Sequence, residues 1–151
     1  MAKKLKPKSI SNRRARFDYN LGDSLTVGVE LTGSEVKNLR MGHGQLRGAY
    51  VTVKDNELQL INATIAGTSG MPIAESDKTR PRRLLAKRRE IDSLIAAKQQ
   101  GRTIVPLEIY TTGRYIKIKI AIGTGKKHYD KRQSLKAKDE QRQINRTLKH
   151  R

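Results

Sequence analysis

The sequence predicts a mainly β fold with helices, and three observations lead to this prediction. In several short segments apolar residues alternate with polar ones, which is the pattern of a strand with one buried and one solvated face. The 151 residues include one Phe and no Trp, so Ile, Leu and Val must fill the core. The length supports one domain with a modest core. Short strands around so few large side chains favour a small, closed or partly open antiparallel barrel, OB-like in architecture, with flanking helices.

The alternation of apolar and polar residues indicates where the strands lie along the chain. Asp55 and Asn56 separate two alternating segments, and because both residue types tolerate a positive φ, these segments are predicted to form a hairpin. Pro106 lies inside another segment and has no N–H to donate, which puts it at an edge or a bulge. The predicted strands are Leu25–Leu31, Tyr50–Lys54, Glu57–Ile61, Thr103–Tyr110 and Tyr115–Ile122, with Phe17–Leu21 as a further candidate.

Two helical regions interrupt the strands. The first is Ser34–Met41, where Val36 and Leu39 are spaced for one buried face and Gly42 supplies a left-handed stop. The second is opened by Pro81 and runs over Arg83–Gln99. Between the hairpin and this helix, residues 66–78 are rich in Gly, Ser and Thr, which predicts a mobile loop.

The positive charge is concentrated at the two ends of the chain. The net charge is +19, and 14 of these charges lie in residues 1–16 and 126–151. Such ends are poor in apolar residues and cannot build a core. We therefore expect a basic N-terminal arm over 1–11, an OB-like barrel over 12–125, and a basic tail over 126–151 that is disordered or becomes helical on binding.

A chain this basic needs a polyanionic partner, and nucleic acid is favoured over an anionic membrane. The chain contains no apolar run of about 18 residues, so no membrane association is expected. The absence of Cys fits a reducing compartment, and a cytoplasmic location is predicted.

Catalytic and metal-binding patterns are weak in this sequence. Its three histidines are scattered, and without Cys a zinc site is not expected. The Gly-Lys pair at 125–126 lacks the upstream Gly and the following Ser or Thr of a phosphate-binding loop. Neither a catalytic residue nor a metal or other cofactor is therefore predicted. Residues 78–89 instead hold seven basic residues in twelve, which favours RNA phosphates as the ligand.

Five motifs follow one another along the chain. They are Asn12–Arg16 followed by Asp18-Tyr19, Leu31–Arg40, Arg80–Leu85 leading into Lys87–Asp92, Val105–Tyr110, and Gly125–Arg132. In this order and spacing they closely resemble the bacterial SsrA-binding protein family, also called small protein B, over about residues 8–151. Phe17 stands where a His is frequent in that family, and Thr26 where a Glu is frequent.

The resemblance implies a mechanism. The barrel binds the tRNA-like domain of transfer-messenger RNA, and the two together mimic a complete tRNA. The RNA is charged by alanyl-tRNA synthetase and delivered by elongation factor Tu, which are thus indirect partners. The complex enters ribosomes stalled without a stop codon, the tail occupies the decoding centre and the empty mRNA channel, and the peptide is tagged for proteolysis. The protein itself catalyses nothing.

Two sets of site residues follow from the motifs and the basic cluster. The predicted RNA-binding residues are Asn12, Arg13, Arg14, Arg16, Glu35, Lys37, Arg40, Arg80, Arg82, Arg83, Lys126 and Lys127. For Glu35, Lys37 and Arg40, which lie on the first helix, packing of the barrel is the alternative to RNA contact. The predicted decoding-centre and channel residues of the tail are Tyr129, Asp130, Lys131, Arg132, Ile144 and Leu148. Within the tail, Asp130 and Gln133 have the spacing of a capping box, and a helix of 22 residues would span about 33 Å.

Two other functions stay open at this point. A ribosomal protein or initiation factor with an OB core and basic arms would explain the charge, and it would associate with ribosomes even without transfer-messenger RNA. A nucleic-acid-stimulated hydrolase is the alternative from another class, and it predicts turnover that depends on Asp130.

Overall fold

The computed structural model of the chain describes residues 9–150. The helices are α1 (Ala15–Asp18), α2 (Gly33–Arg40), α3 (Arg88–Gln99) and α4 (His128–Lys149), with a short 3-10 helix at Glu75–Asp77. The strands are β1 (Ile10–Ser11), β2 (Tyr19–Val29), β3 (Gly44–Gln45), β4 (Tyr50–Lys54), β5 (Glu57–Ile61), β6 (Thr64–Ile65), β7 (Arg82–Leu85), β8 (Thr103–Thr112) and β9 (Tyr115–Gly125). Residues 1–8 of the predicted N-terminal arm lie outside the described part of the chain.

Six of the strands close into a barrel. Strands β8, β4, β5, β7, β2 and β9 are hydrogen-bonded in that order, and β9 pairs back with β8. Every pairing is antiparallel. Strand β1 adds to β8, while β3 and β6 form a separate small sheet. The prediction of a small antiparallel barrel with flanking helices is confirmed.

The core is built from aliphatic side chains, as the composition requires. The innermost residues, each no more than 2 % exposed, come from every strand of the barrel and include Val27, Val51, Leu58, Leu60, Leu84, Ile104, Ile118 and Ile120. The alternation in β9 is followed closely, with Ile116, Ile118 and Ile120 inside and Lys119 outside. Leu94 of α3 and Leu39 of α2 complete the core.

Three predicted local features are present. Asp55 and Asn56 have φ of 52° and 59°, so the β4–β5 turn is the tight positive-φ hairpin that the two residues favour. The β8–β9 register shifts between Pro106 and Glu108, which places the proline at a bulge. Gly42 follows α2 with φ of 86°, and this left-handed conformation ends the helix as expected.

The second predicted helix begins too early. Arg82–Leu85 forms β7, in which Arg82 and Leu84 are buried and Arg83 and Leu85 are exposed, and α3 starts only at Arg88. Buried and exposed residues therefore alternate in this segment, as in a strand, because β7 is hydrogen-bonded between β5 and β2. The strand candidate Phe17–Leu21 is also partly wrong, since Ala15–Asp18 is helical and the strand starts at Tyr19.

The tail is a single helix, α4, in which no residue is buried. The predicted capping box does not form, because the helix begins at His128 and Asp130 already lies within its first turn. Gln133 instead donates to the Tyr129 hydroxyl over 2.8 Å. At the other end, Ile10–Ser11 pairs with β8, so the sheet includes the last residues of the predicted arm.

Candidate nucleic-acid interface

The most buried charged residues form one ion-pair cluster. Glu35 of α2 is 1 % exposed and Arg82 of β7 is 0 % exposed. Glu35 Oε1 accepts hydrogen bonds from Arg82 Nε at 3.2 Å and Nη2 at 3.1 Å. Arg80 forms a bidentate pair with the same carboxylate, at 2.8 Å from each oxygen. This geometry joins α2 to the segment that leads into β7.

The remaining donors of Arg82 go to the backbone. Nη1 donates to the carbonyls of Ala63 and Arg80, at 2.8 and 3.2 Å, and Nη2 donates to those of Asp77 and Lys78, both at 3.1 Å. Asn38, also fully buried, donates from Nδ2 to the Met71 carbonyl at 3.0 Å. The segment 66–80 is therefore tied to α2 at its middle and to β7 near its C-terminal end.

The same contacts shift the pKa values of the cluster. Burial alone would raise the pKa of Glu35, but hydrogen bonds from Arg80 and from the Thr32 N–H, together with the Arg82 charge, outweigh burial and hold this pKa below its ordinary range. Burial lowers the pKa of Arg82 despite the nearby carboxylate. Direct RNA contact, predicted for Glu35 and Arg82, does not fit side chains that are buried and bonded to each other. Their contacts instead hold α2 against β7.

The Asn12–Asp18 segment meets the start of the tail at one end of the barrel. Register pairing sets Tyr19 opposite Gly125, and the Lys126 N–H donates to the Asp18 carbonyl at 2.9 Å. The Asp18 carboxylate lies 3.5 Å from Arg14 Nε and 3.4 Å from Lys131 Nζ. The structure therefore brings together two basic motifs that are more than a hundred residues apart in the chain.

Asn12 is the anchor of this segment. Its side-chain amide donates to the Pro106 carbonyl at 3.0 Å, and its backbone N–H donates to the Leu107 carbonyl at 2.7 Å. Both acceptors lie at the bulge of β8, where the ladder with β9 is interrupted. Because its amide is engaged in this way, Asn12 positions the neighbouring arginines, and Arg13 and Arg16 project into solvent.

A shallow groove extends from this end of the barrel. Its volume is about 450 Å³, and it is lined by three cations, Arg16, Lys119 and Lys126, together with Tyr19 and Asn20. Lys119 lies on the solvent face of β9 and was not among the predicted site residues. The sequence does indicate that Lys119 is exposed, because the alternation in β9 places it on the outer face of the strand. A groove with three cations and no carboxylate in its lining is suited to a phosphate backbone.

A second exposed surface lies around β2, with β7 and β9 on either side. Leu85 is 50 % exposed and Tyr115 is 70 % exposed. The ammonium of Lys117 lies 6.0 Å from the centre of the Tyr115 ring, and these residues border a cavity of about 350 Å³ with Arg114. Aromatic and apolar side chains among cations are the components of a stacking surface for nucleic-acid bases. Leu85, Tyr115 and Lys117 were not among the predicted site residues, and for Leu85 the reason is the helix predicted over Arg83–Gln99.

The other predicted residues lie on the outside of the barrel and along the tail. Lys37 and Arg40 are exposed on α2, and Arg40 donates to the Arg114 carbonyl at 2.9 Å. Arg83 is exposed and pairs with Glu57 at 2.8 Å. On α4, Tyr129, Ile144 and Leu148 are each more than half exposed. The exposed predicted cations are thus divided between α2, β7, the Asn12–Asp18 segment and the beginning of the tail.

Comparisons with known proteins decide the family. The family model described as SmpB protein matches residues 9–150. A relative from Oenococcus oeni named SsrA-binding protein is 43 % identical over 140 residues, covering 92 % of this chain and 90 % of its own length. The chain belongs to the SmpB family of SsrA-binding proteins.

Further comparisons agree with this membership. An SsrA-binding protein of Syntrophomonas wolfei is 41 % identical over 143 residues, which cover 94 % of this chain and 91 % of that protein. A chain in a solved structure reported as "tmRNA-SmpB: a journey to the center of the bacterial ribosome" superposes with a TM-score of 0.67 and 35 % identity. The superposition covers 84 % of this chain and 94 % of that one.

The fold now explains the SmpB motifs of this chain. The Leu31–Arg40 and Arg80–Leu85 motifs supply the buried Glu35–Arg82 cluster, so much of their polar character serves the barrel. The Asn12–Asp18 and Gly125–Arg132 motifs converge at one end of the barrel, and most of their cations are exposed. Within residues 9–150, no helix has both the length and the apolar character needed to cross a membrane.

Proposed function

We propose that this chain binds the tRNA-like domain of transfer-messenger RNA and brings it to stalled ribosomes for trans-translation, without catalysing a reaction itself. The observation that carries the proposal is the pairing of a cationic barrel surface with a long, unburied helix in a member of the SmpB family. The solved relative, by its description, is a complex of SmpB with tmRNA in the bacterial ribosome.

The barrel would hold the RNA through two neighbouring surfaces. Arg13, Arg16, Lys126 and Lys127, with Lys119 in the groove, would contact phosphates, which requires exposed cations of the kind seen there. Leu85 and Tyr115 would stack on unpaired bases, and Lys117 would neutralise the adjoining backbone. Because phosphate contacts release counterions, the affinity should fall steeply with salt.

The tail would enter the ribosome. Its helix of 22 residues reaches about 33 Å from the barrel, and its unburied side chains are free to meet another surface. We assign Tyr129, Asp130, Lys131 and Arg132 to the decoding centre and Ile144 and Leu148 to the mRNA channel. The helix carries cations on nearly every turn. These cations would be attracted to the phosphates of the RNA that surrounds the mRNA channel. Alanyl-tRNA synthetase and elongation factor Tu would act on the RNA that the protein holds.

Truncation after Tyr129 tests the division between barrel and tail. The shortened protein should bind a transcript of the tRNA-like domain within about twofold of the full chain, because the barrel surfaces remain. Peptide tagging on ribosomes stalled by a message without a stop codon should be lost. The full-length chain carrying Glu140→Gln, a single change on an exposed turn of α4, is the control for nonspecific damage to the tail.

Two results would contradict the proposal. Equal loss of RNA binding and of tagging on truncation would refute the separate roles of barrel and tail. Ribosome association of the full chain at the same level with and without transfer-messenger RNA would favour a ribosomal protein or initiation factor instead.

A further inference from the structure

Helix α2 ends beside the turn that joins β8 and β9. Arg40, the last residue of α2, donates from Nη2 to the Arg114 carbonyl at 2.9 Å, across 74 positions of the chain. Thr112 pairs with Tyr115, so the turn between them has two residues. The first of these, Gly113, has φ of 58°, the sign that a II′ turn requires at this position. The Arg40 bond therefore fastens the tip of the β8–β9 hairpin to the helix.

The position of α2 is itself fixed by the buried ion-pair cluster. Glu35, one residue before Val36 on this helix, is bonded to Arg80 and to Arg82, and Arg82 belongs to β7. Arg40 therefore connects β7, through α2, to the β8–β9 hairpin. The sheet alone connects them less directly, because β7 and β9 do not pair with each other and β2 lies between them.

Strands β7 and β9 carry the two sides of the exposed stacking surface. Gly28 of β2 pairs with Leu85 on one side and with Lys117 on the other, and Tyr115 stands at the start of β9. All four residues line the cavity of about 350 Å³. A Cβ atom at position 28 would lie 3.3 Å from the Leu85 Cβ atom, so the glycine leaves the space between the two sides open. The separation of Leu85 and Tyr115 therefore sets the width available to a base.

We propose that Arg40 is a positioning residue for this surface, because its bond to the turn holds Tyr115 at the distance from Leu85 that suits an unpaired base. The inference rests on the proposed function, since it requires that Leu85 and Tyr115 stack on the RNA. Arg40 acts through the hairpin, which differs from the direct RNA contact predicted for it from the sequence. Without the bond, the tip of the hairpin samples several positions, and only a fraction of the molecules present a cavity of the right width.

A double-mutant cycle between Arg40 and Tyr115 tests this role. Arg40→Ala should weaken binding to a transcript of the tRNA-like domain about fivefold, the effect of one hydrogen bond. The same change should cost less than about twofold when Tyr115→Ala is already present, because the ring to be positioned is then gone. The slope of log affinity against log salt should fall no more than for Arg102→Ala, which removes an exposed arginine immediately before β8. A direct phosphate contact would instead lower this slope by about 0.7 to 0.9.

Hydrogen exchange of the free full-length chain, followed by mass spectrometry, supplies a readout that needs no RNA. In Arg40→Ala, peptides that cover residues 110–117 should exchange about fivefold faster, whereas peptides from β4 and β5 should be unchanged. Additive losses in the cycle, a slope lowered by a full phosphate contact, unchanged exchange at the turn, or faster exchange throughout the barrel would overturn the positioning role. If the unchanged chain fails to bind the transcript, the proposed function fails, whereas exchange at the turn still decides whether Arg40 holds the hairpin.

Discussion

Replacing Glu35 by glutamine removes the carboxylate that faces the buried guanidinium of Arg82 while changing the side-chain volume very little. The Oε2 atom of Glu35 accepts from Arg80 Nη2 at 2.8 Å and from the Thr32 N–H at 3.0 Å. A glutamine nitrogen in this position would face two donors and lose both bonds. In the flipped orientation it would instead face Nε of Arg80 and both Arg82 donors.

The expected loss of stability follows from the buried charge. Removing one partner of a buried ion pair costs about 3–5 kcal/mol, because the other charge is left without compensation. Arg82 keeps four backbone carbonyls as acceptors, which places the expected loss in the free energy of unfolding at the lower end, about 3 kcal/mol. For a chain of this size that corresponds to a fall in Tm of roughly 6–12 °C.

Urea denaturation followed by circular dichroism measures this loss. Glu140→Gln is the matched control, since it makes the same chemical change on an exposed turn of α4 and should alter stability by less than about 0.5 kcal/mol. Adding Arg82→Met should recover part of the stability lost in Glu35→Gln, because the uncompensated charge is then gone. A loss below about 1 kcal/mol, or no recovery in the double variant, would refute the assignment of these two residues as a coupled pair.

Three further predictions concern acid stability, RNA stacking and the hairpin. Folding lowers the pKa of Glu35, so the ionised carboxylate stabilises the fold above the unfolded pKa of about 4.5, and this stabilisation is lost as the pH falls through the lower folded pKa. The free energy of unfolding of Glu35→Gln should therefore depend less on pH below 4.5 than that of the unchanged chain. Plots of unfolding free energy against pH that are equally steep for the two proteins would contradict this. Tyr115→Ala should weaken binding to the tRNA-like domain transcript by about 1–3 kcal/mol, measured by filter binding, whereas the tail variant Tyr129→Ala should not, and equal losses would refute the stacking surface. Asn56→Gly should keep or slightly raise Tm, while Asn56→Val should cost about 1–2 kcal/mol at a φ of 59°; equal melting temperatures would contradict the assigned turn.

Much of the fold could be predicted from local patterns. The alternation in Tyr115–Ile122 placed its isoleucines inside the barrel, and Asp55-Asn56 placed the hairpin turn. Pro106 indicated an irregularity that is seen as a bulge. Each of these features depends on residues a few positions apart, so the local sequence is enough to predict it.

The candidate site was only partly predictable. The segments that carry the exposed cations were evident from charge and from the family motifs, and Arg13, Arg16 and Lys37 are exposed as an interface requires. Burial could not be deduced in the same way. Arg82 and Arg83 are adjacent basic residues in the sequence, yet Arg82 is fully buried while Arg83 is exposed, because both lie in β7 and successive residues of a strand point to opposite faces.

The class of barrel, the aliphatic core, the basic ends and the family could all be predicted from composition, alternation and motifs. The polar residues that hold the barrel together, and those that face solvent, are known only from the way the strands and helices pack. Glu35 pairs with Arg82, which is 47 positions away in the chain, and Asp18 pairs with Lys131, which is more than a hundred positions away. Such pairings depend on strand register and on the removal of charges from water, and neither is encoded in a local pattern of residues.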